Sequence, residues 1–179
     1  MNASYESEKL MEDILRGSSK EELEELLKKV SWNEGYGCYT RTGFELVIWP
    51  EIKDRAEWFV YFDINGLHEL NAEHGSYEPV NVMIKDVLSI TRSTDLKAAM
   101  LQSGDEIFIV ILKNSEHDGN PVDPQGLVGR LVHRFSTHNM SATFDIVPAL
   151  SPDLMTNLEP AVKKVHAIKN RRGSLRRTS

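Results

Sequence analysis

Lys97-Ala98-Ala99-Met100-Leu101-Gln102-Ser103-Gly104-Asp105-Glu106-Ile107-Phe108-Ile109-Val110-Ile111-Leu112 decides the fold. Two strand-like runs flank a short polar segment with Gly104-Asp105 at its centre, the pattern of a β-hairpin. Its tip carries two acids beside a glycine, which lets other groups approach closely. A second acid lies upstream: Trp58-Phe59-Val60-Tyr61-Phe62 is apolar enough for a buried central strand and ends in Asp63-Ile64-Asn65-Gly66. An acid at the exit of a central strand and acids at a hairpin tip are the parts a Mg²⁺–nucleotide site needs.

Further segments stand in a fixed order around this pair. Gly37-Cys38-Tyr39-Thr40-Arg41-Thr42-Gly43-Phe44 comes first, Asp63-Ile64-Asn65-Gly66-Leu67-His68-Glu69-Leu70-Asn71 second, the hairpin third, and Ala161 to Lys169 last. Together they resemble the GGDEF domain, the catalytic domain of diguanylate cyclases, over roughly residues 31 to 172. The first matches the opening G-L-Y-N-R-R-x-F segment, the second D-I-D-x-F-K-x-I-N, and the last the A-D-x-A-L-Y-x-A-K helix. The resemblance implies a palm-like α+β fold with a ferredoxin-like core, its mainly antiparallel sheet flanked by helices.

It also implies a set of roles. Asp63, the Ile64 carbonyl and Asp105 would hold Mg²⁺ (or Mn²⁺). Glu106, with Asp105, would serve catalysis by facing the attacking hydroxyl or a second metal. Ser103 and Gly104 would lie against the nucleotide, the Asn71 amide would read the base, and Lys169 would reach the triphosphate. Lys169 is equally explained as a cation at a helix C-terminus.

The departures from the pattern bear on activity and base choice. Ser103 replaces the first signature glycine, Asn65 the second aspartate of D-x-D, Leu101 an arginine and His166 a tyrosine. Val80, nine residues past Asn71, stands where the family has a guanine-reading aspartate, and Glu78 is a candidate substitute. Arg92-Ser93-Thr94-Asp95 resembles the RxxD product-binding motif, but its spacing from Ser103 favours a surface ion pair after a helix.

Composition narrows the class. At 179 residues the chain can bury one real core, and 27% charged residues is ordinary for a soluble domain. The net charge of −6 argues against a broad DNA-binding surface. A single cysteine, Cys38, excludes an internal disulfide framework. No apolar run is long enough to cross a membrane and no leader is visible, so the expected location is the cytoplasm. The six histidines have no zinc-ligand spacing and are assigned no metal.

Along the chain, residues 1–31 read as a helical segment with a capping box at Ser19-Lys20-Glu21-Glu22, docking on the domain or pairing with a second copy. Residues 32–172 form the GGDEF-like domain, and 173–179 a basic, flexible tail. Phe44 to Arg55 is amphipathic and interrupted by Pro50. Two helices follow the first strand, split near Gly75, and 114–124 reads as a loop. A helix starts at Pro124, a strand spans about 140–150, and the last helix ends near Lys169.

Two functions follow from these readings. One is a nucleotidyl cyclase condensing two nucleoside triphosphates, GTP first, into a cyclic dinucleotide as a head-to-tail homodimer. The other is a silent GGDEF-like module that binds a nucleotide, a cyclic dinucleotide or a protein partner and passes on a signal.

Overall fold

The structure, a computed structural model, describes Ser19, Glu22 and residues 31–90, 96–101, 104–114, 116–117 and 120–176. The expected N-terminal helix lies mostly outside these residues, as do Arg92–Asp95 and Ser103. The capping box is formed where it is described. Ser19 N–H donates to Glu22 Oε2 at 2.8 Å, and Glu22 N–H donates back to Ser19 Oγ at 3.2 Å.

Strands β1 (Trp32–Asn33), β2 (Cys38–Tyr39), β3 (Ala56–Ile64), β4 (Leu96–Met100), β5 (Glu106–Leu112) and β8 (Ala142–Pro148) form one sheet in the order β1-β2-β4-β5-β3-β8. All neighbours are antiparallel except β2 and β4. The anticipated hairpin is β4–β5, and the long apolar run is the central strand β3, paired on both sides.

Both faces of the sheet are covered, which is why β5 is apolar without alternation and buried at every position. On β3, Val60, Phe62 and Ile64 point to one core. There they meet α3 (Glu78–Leu88) through Val80, Ile84, Val87 and Leu88, and α4 (Pro124–Thr137) through Leu127, Leu131 and Phe135. Phe59 and Tyr61 point the other way, against Phe44, Trp49 and Ile52 of α1 (residues 41–55) and Leu158, Ala161 and Val165 of α5 (Leu154–Arg176). The short α2 (Leu67–His74) follows β3 directly.

Four local expectations are corrected. Pro50 does not break the 41–55 segment, because a π-turn at Phe44–Ile48 precedes it and closes with Trp49 N–H on the Phe44 carbonyl. The wider turn accommodates a ring that would otherwise meet the carbonyl four residues back. The 114–124 loop contains a small ladder, β6 (Glu116–His117) with β7 (Asn120–Pro121). The last helix runs past Lys169 to Arg176, since nothing in Asn170-Arg171-Arg172 stops it and basic residues favour a helix C-terminus. Val80 was a candidate for lining the base pocket; it is fully buried in the core instead.

Candidate functional site at the ends of β3 and β5

Alternation along two strands builds this site. Asp63 follows Phe59 and Tyr61 on the α5 side of β3, and Glu106 precedes Phe108 and Val110 on the same side of β5. The register places Asp63 directly opposite Glu106. Two carboxylates therefore stand side by side at the sheet's end, 4% and 7% exposed, under the last turns of α5.

Helix α5 supplies two partners for these acids. His166 and Lys169 are three residues apart and so share one helix face. Lys169 Nζ donates to Asp63 Oδ1 and lies 3.5 Å from the Ile64 carbonyl oxygen. His166 Nε2 is 2.6 Å from Glu106 Oε1. The same Oε1 accepts from the Tyr61 hydroxyl at 3.0 Å, across the β3–β5 pair.

Burial dominates the electrostatics. It raises the Asp63 carboxyl above its usual range against the pull of Lys169, and Asp105 and Glu106 push the same way. Tyr61 is held firmly protonated by burial and then by the Glu106 charge, so its hydroxyl is a fixed donor. Tyr36 is pushed up to about 12 by burial, with Cys38 and Asp105 adding to it.

Asp105 sits in the tip of the hairpin, half-buried, and its carbonyl accepts from Ile64 N–H at 2.8 Å. That bond fixes the tip to the end of β3. Gly104 takes a left-handed φ of 81°, and a Cβ there would lie 3.3 Å from the Tyr36 hydroxyl. Asn65 contributes structurally: its Nδ2 donates to Ser141 Oγ at 3.0 Å and its Oδ1 accepts from Thr143 Oγ1 at 3.1 Å.

Asn71 lies on α2. It lines a cavity of about 310 Å³ with His68, Ala72, Gly75, Ser76 and Tyr77. Its Oδ1 is buried without a hydrogen-bond partner. Glu78 is exposed in the first turn of α3.

The structure thus brings Asp63, Ile64, Glu106 and Lys169 together, puts Asp105 beside them, and places Asn71 in a cavity lined by none of them. Sequence reasoning missed Tyr61 and His166. Their signals were present: Tyr61 shares its strand face with Asp63, and His166 shares its helix face with Lys169. Among the described residues, Asp63, Glu106 and His166 form a group whose donor atoms lie within 4.8 Å of one another.

No protein-family model and no curated protein matches the sequence. Solved structures do match. A sensory box/GGDEF family protein from Caulobacter crescentus CB15 superposes with a TM-score of 0.57 at 16% identity, over 76% of this chain and 98% of that one. The diguanylate cyclase SiaD of Pseudomonas aeruginosa, solved with its activator SiaC, gives 0.61 at 12% identity, over 95% and 72%. The S helix-GGDEF-EAL portion of Vibrio cholerae LapD, bound to c-di-GMP, gives 0.55 at 16% identity; the match covers 76% of this chain but only 33% of that longer one.

The chain has a GGDEF-domain fold. The hairpin read in the sequence is β4–β5 of that fold, and the acid-bearing strand is its β3. At these identities the likeness is one of architecture, and the chemistry rests on the residues themselves. No helix among the described residues is long and apolar enough to cross a membrane.

Proposed function

We propose that this GGDEF-fold domain binds a divalent-metal complex of a nucleoside triphosphate at the ends of β3 and β5, and joins two such substrates into a cyclic dinucleotide. The observation that carries the reading is the Asp63–Glu106 pair, opposed in register at the sheet's end with Lys169 against Asp63. The Asp63 and Asp105 carboxylates with a backbone carbonyl are a hard-oxygen donor set that fits Mg²⁺ or Mn²⁺. Asp63, the Ile64 carbonyl and Asp105 would hold the ion. When bound, it would neutralise phosphate charge and polarise the reacting phosphoryl group.

The chain's own groups do the rest. In each half-reaction a 3′-hydroxyl forms a bond to the α-phosphorus of the other triphosphate, and the bond to pyrophosphate breaks. Glu106 accepts the hydroxyl proton, held in place by the Tyr61 hydroxyl. Lys169 transfers its charge from Asp63 to the triphosphate. Asn71 offers its open carbonyl oxygen to a base donor, GTP being the first candidate. One substrate per subunit requires two chains head to tail, so the active form is a homodimer.

A second reading is a silent module that binds a nucleotide, a cyclic dinucleotide or a partner protein. It is favoured by the engagement of both strand-end acids by the helix's own Lys169 and His166. Incubation with GTP, ATP and their mixture, with Mg²⁺ or Mn²⁺ and products read by mass spectrometry, separates the two. A cyclic dinucleotide that disappears in an Asp105→Ala, Glu106→Ala variant establishes the cyclase. No product at high protein concentration leaves the binding module.

A further inference from the structure

Three elements converge on one point: β3 brings Asp63, β5 brings Glu106 and α5 brings His166. Their donor atoms all lie within 4.8 Å of one another. Ligands about 2.1 Å from a shared ion stand at most about 4.2 Å apart. The gap is closed by small side-chain rotations, and the imidazole, 48% exposed, is free to make them.

The surroundings already favour positive charge here. The Lys169 ammonium sits on Asp63, and the imidazole faces Glu106. Tyr61 donates to Glu106 Oε1 from beneath and orients the carboxylate, the kind of outer contact that tunes a metal ligand. A phenol in place of the imidazole, as the resemblance would put there, offers no nitrogen donor.

We propose that His166 turns the strand-end site into a three-donor resting centre, Asp63–Glu106–His166, that selects a divalent transition ion over Mg²⁺. This rests on the reading that Asp63 holds a dication; Glu106 and His166 complete its ligands only while no nucleotide is bound, and Glu106 is released to the attacking hydroxyl when substrate enters. Mg²⁺ takes oxygen donors and keeps its waters, whereas imidazole suits transition ions such as Fe²⁺, Ni²⁺ and Zn²⁺. Mn²⁺ stands lowest of the transition ions in affinity, so it is the stringent probe of what the imidazole adds. Lys169 is the internal competitor: its ammonium leaves Asp63 as the ion enters.

The test uses the full chain without nucleotide. Mn²⁺ is titrated in and its free aqueous signal is read by electron paramagnetic resonance, alone and in excess Mg²⁺. The expected result is Mn²⁺ binding that Mg²⁺ displaces poorly. His166→Ala should weaken it at least about tenfold, the loss that even an outer-contact mutation brings. Mg²⁺ binding by calorimetry should not change in that variant. Lys169→Met should tighten Mn²⁺ by freeing Asp63.

Equal Mn²⁺ affinity in wild type and His166→Ala overturns the proposal, as does ready displacement by Mg²⁺ or absence of Mn²⁺ binding. Cyclic dinucleotide made with Mg²⁺ and insensitive to His166→Ala keeps the cyclase and sinks this centre. Mn²⁺ held through His166 with no triphosphate turnover does the reverse.

Discussion

Glu106 Oε1 is shared by two donors from opposite sides, the Tyr61 hydroxyl at 3.0 Å and His166 Nε2 at 2.6 Å. One comes from the neighbouring strand and one from the covering helix. A carboxylate held this way cannot turn freely, which suits a group that must meet a single hydroxyl.

The two holds can be separated by mutation. Glu106→Gln should lower cyclic dinucleotide formation by on the order of 10²–10⁴, the usual contribution of a positioned base. Tyr61→Phe keeps the base and removes one hold, so about a tenfold loss is expected, equivalent to about 1.4 kcal/mol. Initial rates by chromatography check both, with circular dichroism as the folding control. Equal losses in the two variants would contradict the division of roles.

Gly43 and Gly129 should respond oppositely to alanine. A Cβ on Gly43 would lie 2.2 Å from Ser31 Cα, backbone that has no room to retreat. A loss of about 1–3 kcal/mol is expected. Gly129 lies inside α4 with nothing within 4 Å of its Cβ position. There alanine should gain about 0.5–1 kcal/mol. Urea unfolding of both variants decides it.

Restoring an acid at Val80 should not restore guanine reading. The side chain is fully buried among Ile84, Val87 and the sheet. Val80→Asp would place a carboxylate in that core without a partner, and a loss of several kcal/mol is expected. A cooperative, near-wild-type melting curve for Val80→Asp would show that this wall is looser than described.

Asp86 predicts an acid-sensitive contact on the far side of the domain. His138 Nε2 lies 2.7 Å from its Oδ2, and Arg134 donates to its Oδ1 at 3.0 Å. The His138 hydrogen bond, with help from Arg134, lowers its carboxyl below the ordinary 3.8. A lowered folded-state value means the contribution is full above that ordinary value and is lost as pH falls through the lower one. The pair is partly exposed, so Asp86→Asn should cost only about 0.5–1 kcal/mol at pH 7. The difference from wild type should vanish in strong acid, and urea midpoints across that range check it.

The fold was readable because its decisive signals are local. Continuous apolar runs mark β3 and β5, and Gly104-Asp105 marks the turn between β4 and β5. Asp63 and Glu106 were readable for the same reason, standing where apolar strands stop. The partners of these acids were not readable, since Tyr61 and His166 meet Glu106 only across sequence separations of 45 and 60. Val80 shows the opposite limit. Spacing from Asn71 gave its number, but the helical phase of α3, set by Ile84, Val87 and Leu88, turned it inward. The π-turn before Pro50 lay outside the reach of a period-based reading, because it breaks the period.

Lys169 and His166 ride on the same rigid rod, one turn apart. Neither can leave its acid by a movement of that rod without the other leaving too. Roll or slide α5 and both acids lose their helix partners in one motion, leaving Glu106 with the Tyr61 hydroxyl alone. A grip anywhere along the 23 residues of this helix, even far from the sheet's end, has leverage over both charges at once.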